Sequence, residues 1–351
     1  MTAEQEQCSP SSPGTARDTD RRDTGTGLAH GKVILLGEHA AVYGAPAVAL
    51  PVPRLGCRAR VARRDRGGCG VLGFRLVAAP PGVPAGLTGP LPHTAESPVP
   101  EGVVTLTEAV LRQTGLPVLP GVDVHLESGV PLARGLGSSA ASARALTLAL
   151  DDLFGLELSA DTVFRYIQLS ETAAHGQASG IDAWTTGSSG PVLLAEGRIS
   201  VPPVRADSWL VVVDSGSGAS TKEAVGMLRQ RLSRDPARRE SFLDRSAALT
   251  RQALLDLERG HLESLGRRLT DCHALLAGLK LTTQCTDHLV EAALRAGALG
   301  AKMTGGGLGG CVIALTTTEH AADALAAHFV REHSLRSWTA PLPRGEGHVR
   351  S

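Results

Sequence analysis

The sequence has few aromatic residues, few lysines and no excess of charge of either sign. Its 351 residues include five Phe, three Trp and two Tyr, and 35 basic residues balance 35 acidic ones. Because a protein that binds nucleic acid or anionic lipid needs a basic surface, a formal net charge of zero argues against both kinds of partner. The only lysines are Lys32, Lys222, Lys280 and Lys302, and the other 31 basic residues are arginine. Lysine therefore occurs at these four positions despite a strong bias towards arginine.

Long apolar runs and paired cysteines are also missing. No apolar run reaches the roughly 18 residues of a membrane-spanning helix, and no apolar core follows positive charge near the N-terminus, as a secretion signal would require. The six cysteines form no C-x-x-C pair, and no His/Cys spacing is typical of zinc. We interpret the cysteines as reduced, structural thiols, and we expect a cytoplasmic protein with no membrane segment.

Composition and periodicity predict an α+β fold with two lobes, over residues 29–203 and 204–341. Residues 1–28 contain almost no apolar side chains, so they cannot offset the entropy of ordering, and we predict a disordered extension there. Residues 342–351 are predicted to form a polar tail. Between these ends, short apolar strands alternate irregularly with helices, and a proline-containing junction precedes the apolar strand at 209–214.

The most informative segment is residues 134–141, where two glycines and two serines directly precede a helix rich in Ala and Leu. The unpaired amides of a helix's first turn and the positive end of its dipole bind anions such as phosphate. A serine hydroxyl can also reach a metal bound to that phosphate. Neither the Walker A pattern nor G-x-G-x-x-G is present. Considered alone, the segment fits an ordinary capped helix after a tight turn at least as well.

Other candidate features are weak when each is taken singly. Residues 304–310 contain five glycines in seven positions between two strands, which predicts close packing against another backbone or a phosphate loop. Glu171 and Asp182 are each more typical of solvated or capping carboxylates. Lys32 is compatible with a strand-end charge, and His39 with a hydrogen-bonded polar histidine.

Taken together, four segments resemble the GHMP kinases, and the mevalonate kinases in particular. Residues 31–44, which include Gly37-Glu38-His39, are similar to the first motif of that family. Residues 131–141 resemble its second, phosphate-binding motif, and residues 302–310 its third. Residues 171–182 resemble the mevalonate kinase pattern that carries a metal ligand and a catalytic aspartate. The third motif departs from the usual pattern at Gly306 and Leu308, where the family often has Ala and Gly.

The resemblance implies a two-lobed GHMP kinase fold. Its N-terminal lobe would have ribosomal-protein-S5-like topology, its C-terminal lobe would be α/β, and the active site would lie in the cleft between them. It further implies ATP as phosphoryl donor, Mg²⁺ as cofactor, and the C5 hydroxyl of mevalonate as acceptor. The sequence does not specify the oligomeric state, and a homodimer is compatible with it.

Residue roles follow from the matched motifs. Lys32 and Asp182 are implied to be catalytic, and Ser139 and Glu171 to hold the metal ion. The residues implied to bind the nucleotide phosphates are Arg134, Gly135, Leu136, Gly137, Ser138, Ser139 and Ala140. Those implied to contact the substrate are Glu38, His39, Asp182, Thr221 and Gly306.

Two other interpretations remain open at the level of sequence. One is a sister kinase that acts on phosphomevalonate, homoserine or a sugar; the residues from Gly37 to Gly44 favour mevalonate. The other is a catalytically inactive module that senses a nucleotide or an isoprenoid. The presence of Lys32, Ser139, Glu171 and Asp182 argues against that module, because a binding protein needs no base and metal ligand together.

Overall fold

A computed structural model describes residues 22–64, 68–79, 98–176, 178–205, 207–218 and 221–349. The first lobe contains strands and helices in mixed order: β1 (Thr24–Leu36), a 3₁₀ helix (Ala40–Tyr43), β2 (Ala47–Arg64), β3 (Gly70–Ala78), α1 (Glu101–Gln113), β4 (Gly121–Ser128), α2 (Ser138–Phe154), α3 (Ala160–His175), α4 (Ile181–Thr185), β5 (Val192–Ala195) and β6 (Arg198–Val201). The second lobe follows with β7 (Trp209–Asp214), α5 (Thr221–Ser233), α6 (Pro236–Arg259), α7 (Leu262–Gly278), α8 (Gln284–Arg295), β8 (Gly300–Thr304), β9 (Cys311–Thr316), α9 (Glu319–His333) and β10 (Ser337–Pro341). The last strand, β11 (His348–Val349), returns to the first lobe.

The first lobe is built on a mixed sheet with the order β11-β6-β5-β2-β4-β3, and β1 pairs with β2. Helix α2 crosses β1 and β2, and two glycines of β1 make this contact close. A Cβ on Gly25 would lie 2.1 Å from the carbonyl oxygen of Ala149, and one on Gly27 would lie 2.1 Å from that of Ala145. The strand therefore rests directly on the helix that begins with Ser138, which fixes the helix's N-terminal turn relative to the sheet.

The second lobe contains a four-stranded antiparallel sheet with the order β10-β7-β9-β8. Strand β7 is buried on both faces, so its apolar side chains alternate between two cores. Leu210 and Val212 belong to the main core, whereas Val211 and Val213 pack with apolar residues of α8 and α9. A strand buried on both faces reads as a continuous apolar run, which is why its limits were predictable from the sequence.

The α+β class and the two-lobed architecture are confirmed, but both ends of the ordered region differ from the sequence prediction. Residues 24–28, predicted to be part of a disordered extension, begin β1, because β2 supplies their hydrogen bonds and α2 covers their glycines. Residues 1–21 lie outside the described part of the chain. The predicted polar tail returns to the first lobe, where His348 and Val349 pair with β6 and Leu342 is buried.

Neither the helices nor the cysteines of the described residues suggest a membrane or a disulfide framework. Each helix in these ranges is too short or too polar to cross a bilayer. Five cysteines carry free thiols, and three of these are buried: Cys57, Cys272 and Cys311. Burial raises the pKa of Cys57 to about 11, as expected for an unreactive structural thiol.

Candidate active site

Helix α2 begins at the candidate phosphate loop. Gly137 is its N-cap residue, in the left-handed conformation with φ 73°, and no side chain of the described residues caps the helix. A Cβ on Gly137 would lie 2.9 Å from Cγ and Cε of Lys32, so the glycine makes room for that lysine. The first-turn amides therefore remain available to an external acceptor, as the sequence pattern predicts for an anion site.

The two glycine-rich loops pack against each other through their backbones. A Cβ on Gly135 would lie 2.7 Å from the carbonyl oxygen of Thr304, and a Cβ on Gly305 would lie 2.5 Å from Cα of Gly135. Gly305 also has a φ of 87°, which L side chains rarely adopt. The predicted close packing of residues 304–310 against another backbone is confirmed.

Thr304 and Lys32 join these loops to the first motif. The Thr304 hydroxyl accepts a hydrogen bond from the Ile34 amide at 2.8 Å and donates one to the Ile34 carbonyl at 3.0 Å. The Lys32 amide donates to the Leu136 carbonyl at 3.0 Å. Segments far apart in the chain are thus held together by one backbone–backbone hydrogen bond and by a buried, short side chain that bonds to backbone on both sides.

Lys32 and Asp182 form an ion pair beside the candidate phosphate loop. Lys32 Nζ lies 3.0 Å from Asp182 Oδ2 and donates to the Gly135 carbonyl at 3.1 Å. The Lys32 side chain is 4% exposed, whereas that of Asp182 is 33% exposed. Asp182 stands in the first turn of the short helix α4, directly after Gly180 and Ile181. The geometry leaves the carboxylate accessible to a ligand while its charge is balanced from the buried side.

Glu171 places a second carboxyl group near Asp182. It lies on α3 and is buried, and its Oε1 has no hydrogen-bond partner among the described residues. Burial, followed by the negative charge of Asp182, raises the pKa of Glu171 to about 7, although the Ser139 hydroxyl and Lys32 act in the opposite direction. Two carboxyl groups and a hydroxyl provide the hard oxygen donors that Mg²⁺ prefers. An unsatisfied buried oxygen in such a set fits a cation ligand.

A second ion pair lies deeper, between Glu38 and Lys302. Lys302 is fully buried; its ammonium pairs with Glu38 Oε1 and donates to the Met303 carbonyl at 2.6 Å. Burial raises the pKa of the Glu38 carboxyl, and the charge of Lys302 opposes this effect. Lys302 was not among the predicted site residues. Two sequence signals pointed to it: it begins the segment that resembles the third family motif, and it is a lysine in an arginine-rich chain.

His39 is held in a strained and buried position next to Glu38. Its φ of 62° is uncommon for a residue with a side chain, and within the described part of the chain its Nε2 has no hydrogen-bond partner. Burial lowers the pKa of His39 to about 4, against the effect of its hydrogen bond with the Gly306 backbone. The imidazole is therefore neutral at pH 7. Backbone strain of this kind is concentrated at functional sites.

A single cavity of about 350 Å³ brings most of the predicted site residues together. Those that line it are Lys32, Glu38, His39, Gly135, Gly137, Ser138, Ser139, Glu171, Asp182 and Gly306. Sequence reasoning did not predict Gln168 or Val225, which also line the cavity, and it gave no role to Ser179, although Ser179 lies in the matched segment 171–182. Gln168 and Val225 lie outside every matched segment, so only the fold identifies them.

Three predicted residues with described side chains do not line the cavity, namely Arg134, Leu136 and Ala140. Leu136 and Ala140 have buried side chains in the core, so they can contact a ligand only through backbone groups. Arg134 points to the second lobe, where its Nε lies 2.9 Å from Asp214 Oδ1 and its Nη2 donates to the Gly216 carbonyl. Thr221 begins α5, and its side chain lies outside the described part of the structure.

Family models match both lobes of the chain. The model for the GHMP kinases N terminal domain matches residues 102–190, and the model for the GHMP kinases C terminal domain matches residues 253–334. The first match contains the phosphate loop, Glu171 and Asp182, and the second contains Lys302 and the third glycine loop. Both lobes of the GHMP kinase fold are therefore present in one chain.

Among known proteins, the chain is similar to archaeal mevalonate kinases. It is 34% identical to the mevalonate kinase of Pyrococcus horikoshii over 295 residues, covering 81% of this chain and 86% of that protein. It is also 34% identical to the mevalonate kinase of Aeropyrum pernix, with 82% and 87% of the two chains covered.

Solved structures show the same fold at lower identity. The L. major mevalonate kinase in complex with R-mevalonate has a TM-score of 0.73 at 24% identity, covering 92% of this chain and 97% of that one. A galactokinase of Lactococcus lactis has a TM-score of 0.70 at 21% identity, covering 93% and 95%. Structural similarity at these identities shows the fold alone. The higher sequence identity to the archaeal proteins shows which family within that fold the chain belongs to. The chain belongs to the mevalonate kinase family of the GHMP kinases.

Proposed function

We propose that this protein transfers the γ-phosphoryl group of ATP to the C5 hydroxyl of mevalonate, giving 5-phosphomevalonate and ADP. The observation that carries the proposal is the Lys32–Asp182 ion pair beside an uncapped helix N-terminus, in a chain 34% identical to mevalonate kinases over four fifths of its length. Family membership supports the chemistry, and the site provides the groups that the reaction needs.

Asp182 is the group we assign to the substrate hydroxyl. Its carboxylate is accessible and lies 3.0 Å from the Lys32 ammonium, which holds it beside the candidate phosphate loop. It would accept the hydroxyl proton as the oxygen bonds to the γ-phosphorus and the bond to ADP breaks. A positioned general base of this kind contributes on the order of 10² to 10⁴ in rate.

Lys32 has a second role in the proposed mechanism. Its ammonium also donates to the carbonyl of Gly135 in the phosphate loop, so it lies between the proposed base and the proposed phosphate site. A buried cation there would offset charge that develops on the transferring group. A compact ammonium fits beside Gly137, where the backbone approaches the lysine stem too closely for a Cβ.

The amides at the start of α2 would hold the nucleotide phosphates, and Ser139 with Glu171 would hold Mg²⁺. The unpartnered, buried Oε1 of Glu171 and the nearby Asp182 carboxylate fit a hard divalent cation. Bound there, the ion would neutralise charge on the phosphate oxygens. Arg134 would act indirectly, by tying the loop to Asp214 and Gly216 of the second lobe.

The experiment that tests this function is ADP release with a panel of acceptors: R-mevalonate, 5-phosphomevalonate, homoserine and galactose. We expect kcat/KM for R-mevalonate to exceed the others by at least ~100-fold, a difference of about 3 kcal/mol in transition-state binding. Lys32 is the only lysine or arginine among the described residues that line the cavity, which disfavours an acceptor that carries an additional phosphate. Preference for another alcohol, or no turnover with any, would contradict the proposal.

We further propose that the enzyme is a homodimer and that it is located in the cytoplasm. Light scattering at assay concentration checks the assembly, with twice the 36.3 kDa chain mass as the expected result. Fractionation of cells checks the compartment, with activity expected in the soluble fraction.

A further inference from the structure

Lys302 is a buried cation that the proposed mechanism does not use. It lies in β8 of the second lobe and is 0% exposed, and its ammonium pairs with Glu38, which follows β1 of the first lobe. Glu38 lines the cavity, whereas Lys302 lies behind it. Lys302 therefore does not contact a ligand in the cavity directly, and the cavity residue that its ammonium pairs with is Glu38.

The surroundings of this pair hold both groups in one arrangement. Lys302 also donates to the Met303 carbonyl at 2.6 Å, and the Met303 amide donates to Nδ1 of His273 at 3.2 Å. Nε2 of His273 lies 3.1 Å from Asp287 Oδ1, so the imidazole is oriented from both sides. On the other side of the pair, the Cys272 thiol lies 3.9 Å from Glu38 Oε2. Each oxygen of Glu38 thus has a neighbour on the protein side.

Stability alone is a poor explanation for such a pair. Removing two charges from water costs more than their attraction returns unless the geometry is very good, and well-packed apolar residues often serve a core as well or better. The burial of Glu38 and Lys302 is explained if the Glu38 carboxylate is needed at the cavity wall. That carboxylate then requires a partner that keeps it charged and correctly oriented.

We propose that Lys302 is a positioning residue, which holds the Glu38 carboxylate charged and oriented to accept a hydrogen bond from a hydroxyl group of the acceptor substrate. The inference rests on the proposed function, because it assigns Glu38 to the acceptor and not to the nucleotide. It concerns recognition of a small hydroxylated carboxylic acid. Lys302 itself touches no reacting atom.

The choice of lysine agrees with this role. An ammonium has three N–H donors, and two of them meet Glu38 and the Met303 carbonyl. A guanidinium has five donors in a rigid plane, so several would be left unsatisfied in a fully buried site. In a chain with 31 arginines, lysine at this position is then a requirement of the site.

The test compares Lys302→Met with the parent enzyme, with Lys280→Met as matched control. Lys280 is exposed, so the control makes the same chemical change outside the cavity. We expect Lys302→Met to raise KM for R-mevalonate by ~10-fold or more and to leave KM for ATP within ~2-fold of the parent value. Lys302→Arg should also have a raised KM for R-mevalonate, and Lys280→Met should match the parent in both Michaelis constants.

A double-mutant cycle with Glu38→Gln separates positioning from a purely structural effect. If Lys302 acts through Glu38, the double variant should have the same KM for R-mevalonate as Glu38→Gln alone. If Lys302→Met does not fold, Lys302→Arg and the double variant, in which both charges are removed, carry the test. A Lys302 variant that folds with parental KM for R-mevalonate, or effects that multiply in the cycle, would overturn the inference. Failure of the parent enzyme to phosphorylate mevalonate would instead overturn the proposed function.

Discussion

Two walls of the same cavity are built in opposite ways. We define the phosphate wall as the two glycine loops, residues 134–139 and 304–310, and the acid wall as Lys32, Glu38, Glu171 and Asp182. In the phosphate wall, backbone packs against backbone: a Cβ placed on Gly305 would lie only 2.5 Å from Cα of Gly135. In the acid wall, side chains from distant elements are held by ion pairs.

This difference determines how each wall can fail. The phosphate wall depends on the absence of side chains, so the addition of one carbon atom should disturb its shape. The acid wall depends on charge balance in a buried setting, so a change of charge should disturb chemistry more than shape. The predictions below exploit that contrast.

The largest expected effect is on the acid wall. Asp182→Asn keeps the size of the side chain and removes the proposed base, so we expect kcat to fall by about 10³-fold or more while the fold is retained. Steady-state kinetics with a far-UV spectrum of the variant checks this. A variant with near-parental kcat would show that Asp182 is not the base.

Glu171→Gln should have the next largest effect. The variant removes a charged oxygen from the proposed metal site without changing its volume, and we expect kcat to fall by about 10²-fold. Because a weakened site needs more metal, the concentration of Mg²⁺ that gives half-maximal activity should rise. Titration of activity with Mg²⁺ measures it, and an unchanged requirement for Mg²⁺ would contradict the assignment.

On the phosphate wall, Gly305→Ala should destabilise the protein mainly through packing. Gly305 and Gly44 both have a φ of 87°, but a Cβ on Gly44 meets no atom within 4 Å. We expect a loss of about 1 to 2 kcal/mol for Gly44→Ala, from backbone strain alone, and about 3 kcal/mol for Gly305→Ala, where a clash is added. Chemical denaturation of both variants gives the difference. Equal losses would show that the close approach of the two loops carries no cost.

The smallest expected effect is on stability below neutral pH. Since burial lowers the pKa of His39 to about 4, below its ordinary value of 6.5, the protein favours the neutral imidazole. Its contribution is fully present above pH 6.5 and is lost as the pH falls towards 4, with about 1.4 kcal/mol lost by pH 5.5. Chemical denaturation of the parent and of His39→Asn at pH 7.5 and pH 5.5 measures this contribution, since the variant should lose less unfolding free energy than the parent. If both lose the same amount, His39 does not contribute to the pH dependence.

The sequence predicted the phosphate wall better than the acid wall, for a physical reason. Glycine density and a following helix are local signals, so residues 134–139 and 304–310 could be recognised and their packing anticipated. Glu38 and Lys302 are 264 positions apart, and nothing local indicates that they pair. Glu171 and Asp182 were predicted to be metal ligand and base only through resemblance to a family.

The fold shows the same division. Strand β7 was predicted with its observed limits because it is buried on both faces, whereas Thr24–Leu28 and His348–Val349 were missed. The missed residues owe their order to distant partners, β2 and α2 for the first segment and β6 for the second. Composition describes a segment's own tendency, and it does not register hydrogen bonds supplied by another part of the chain.

The most direct test of the account is to measure both Michaelis constants for Gly305→Ala and Glu38→Gln in one set of conditions. If the phosphate wall holds the nucleotide and Glu38 of the acid wall holds the acceptor, Gly305→Ala should raise KM for ATP by about 10-fold and leave KM for R-mevalonate within about 2-fold. Glu38→Gln should do the reverse. Variants that raise both constants equally, or that exchange these effects, would contradict the division of the cavity into two walls.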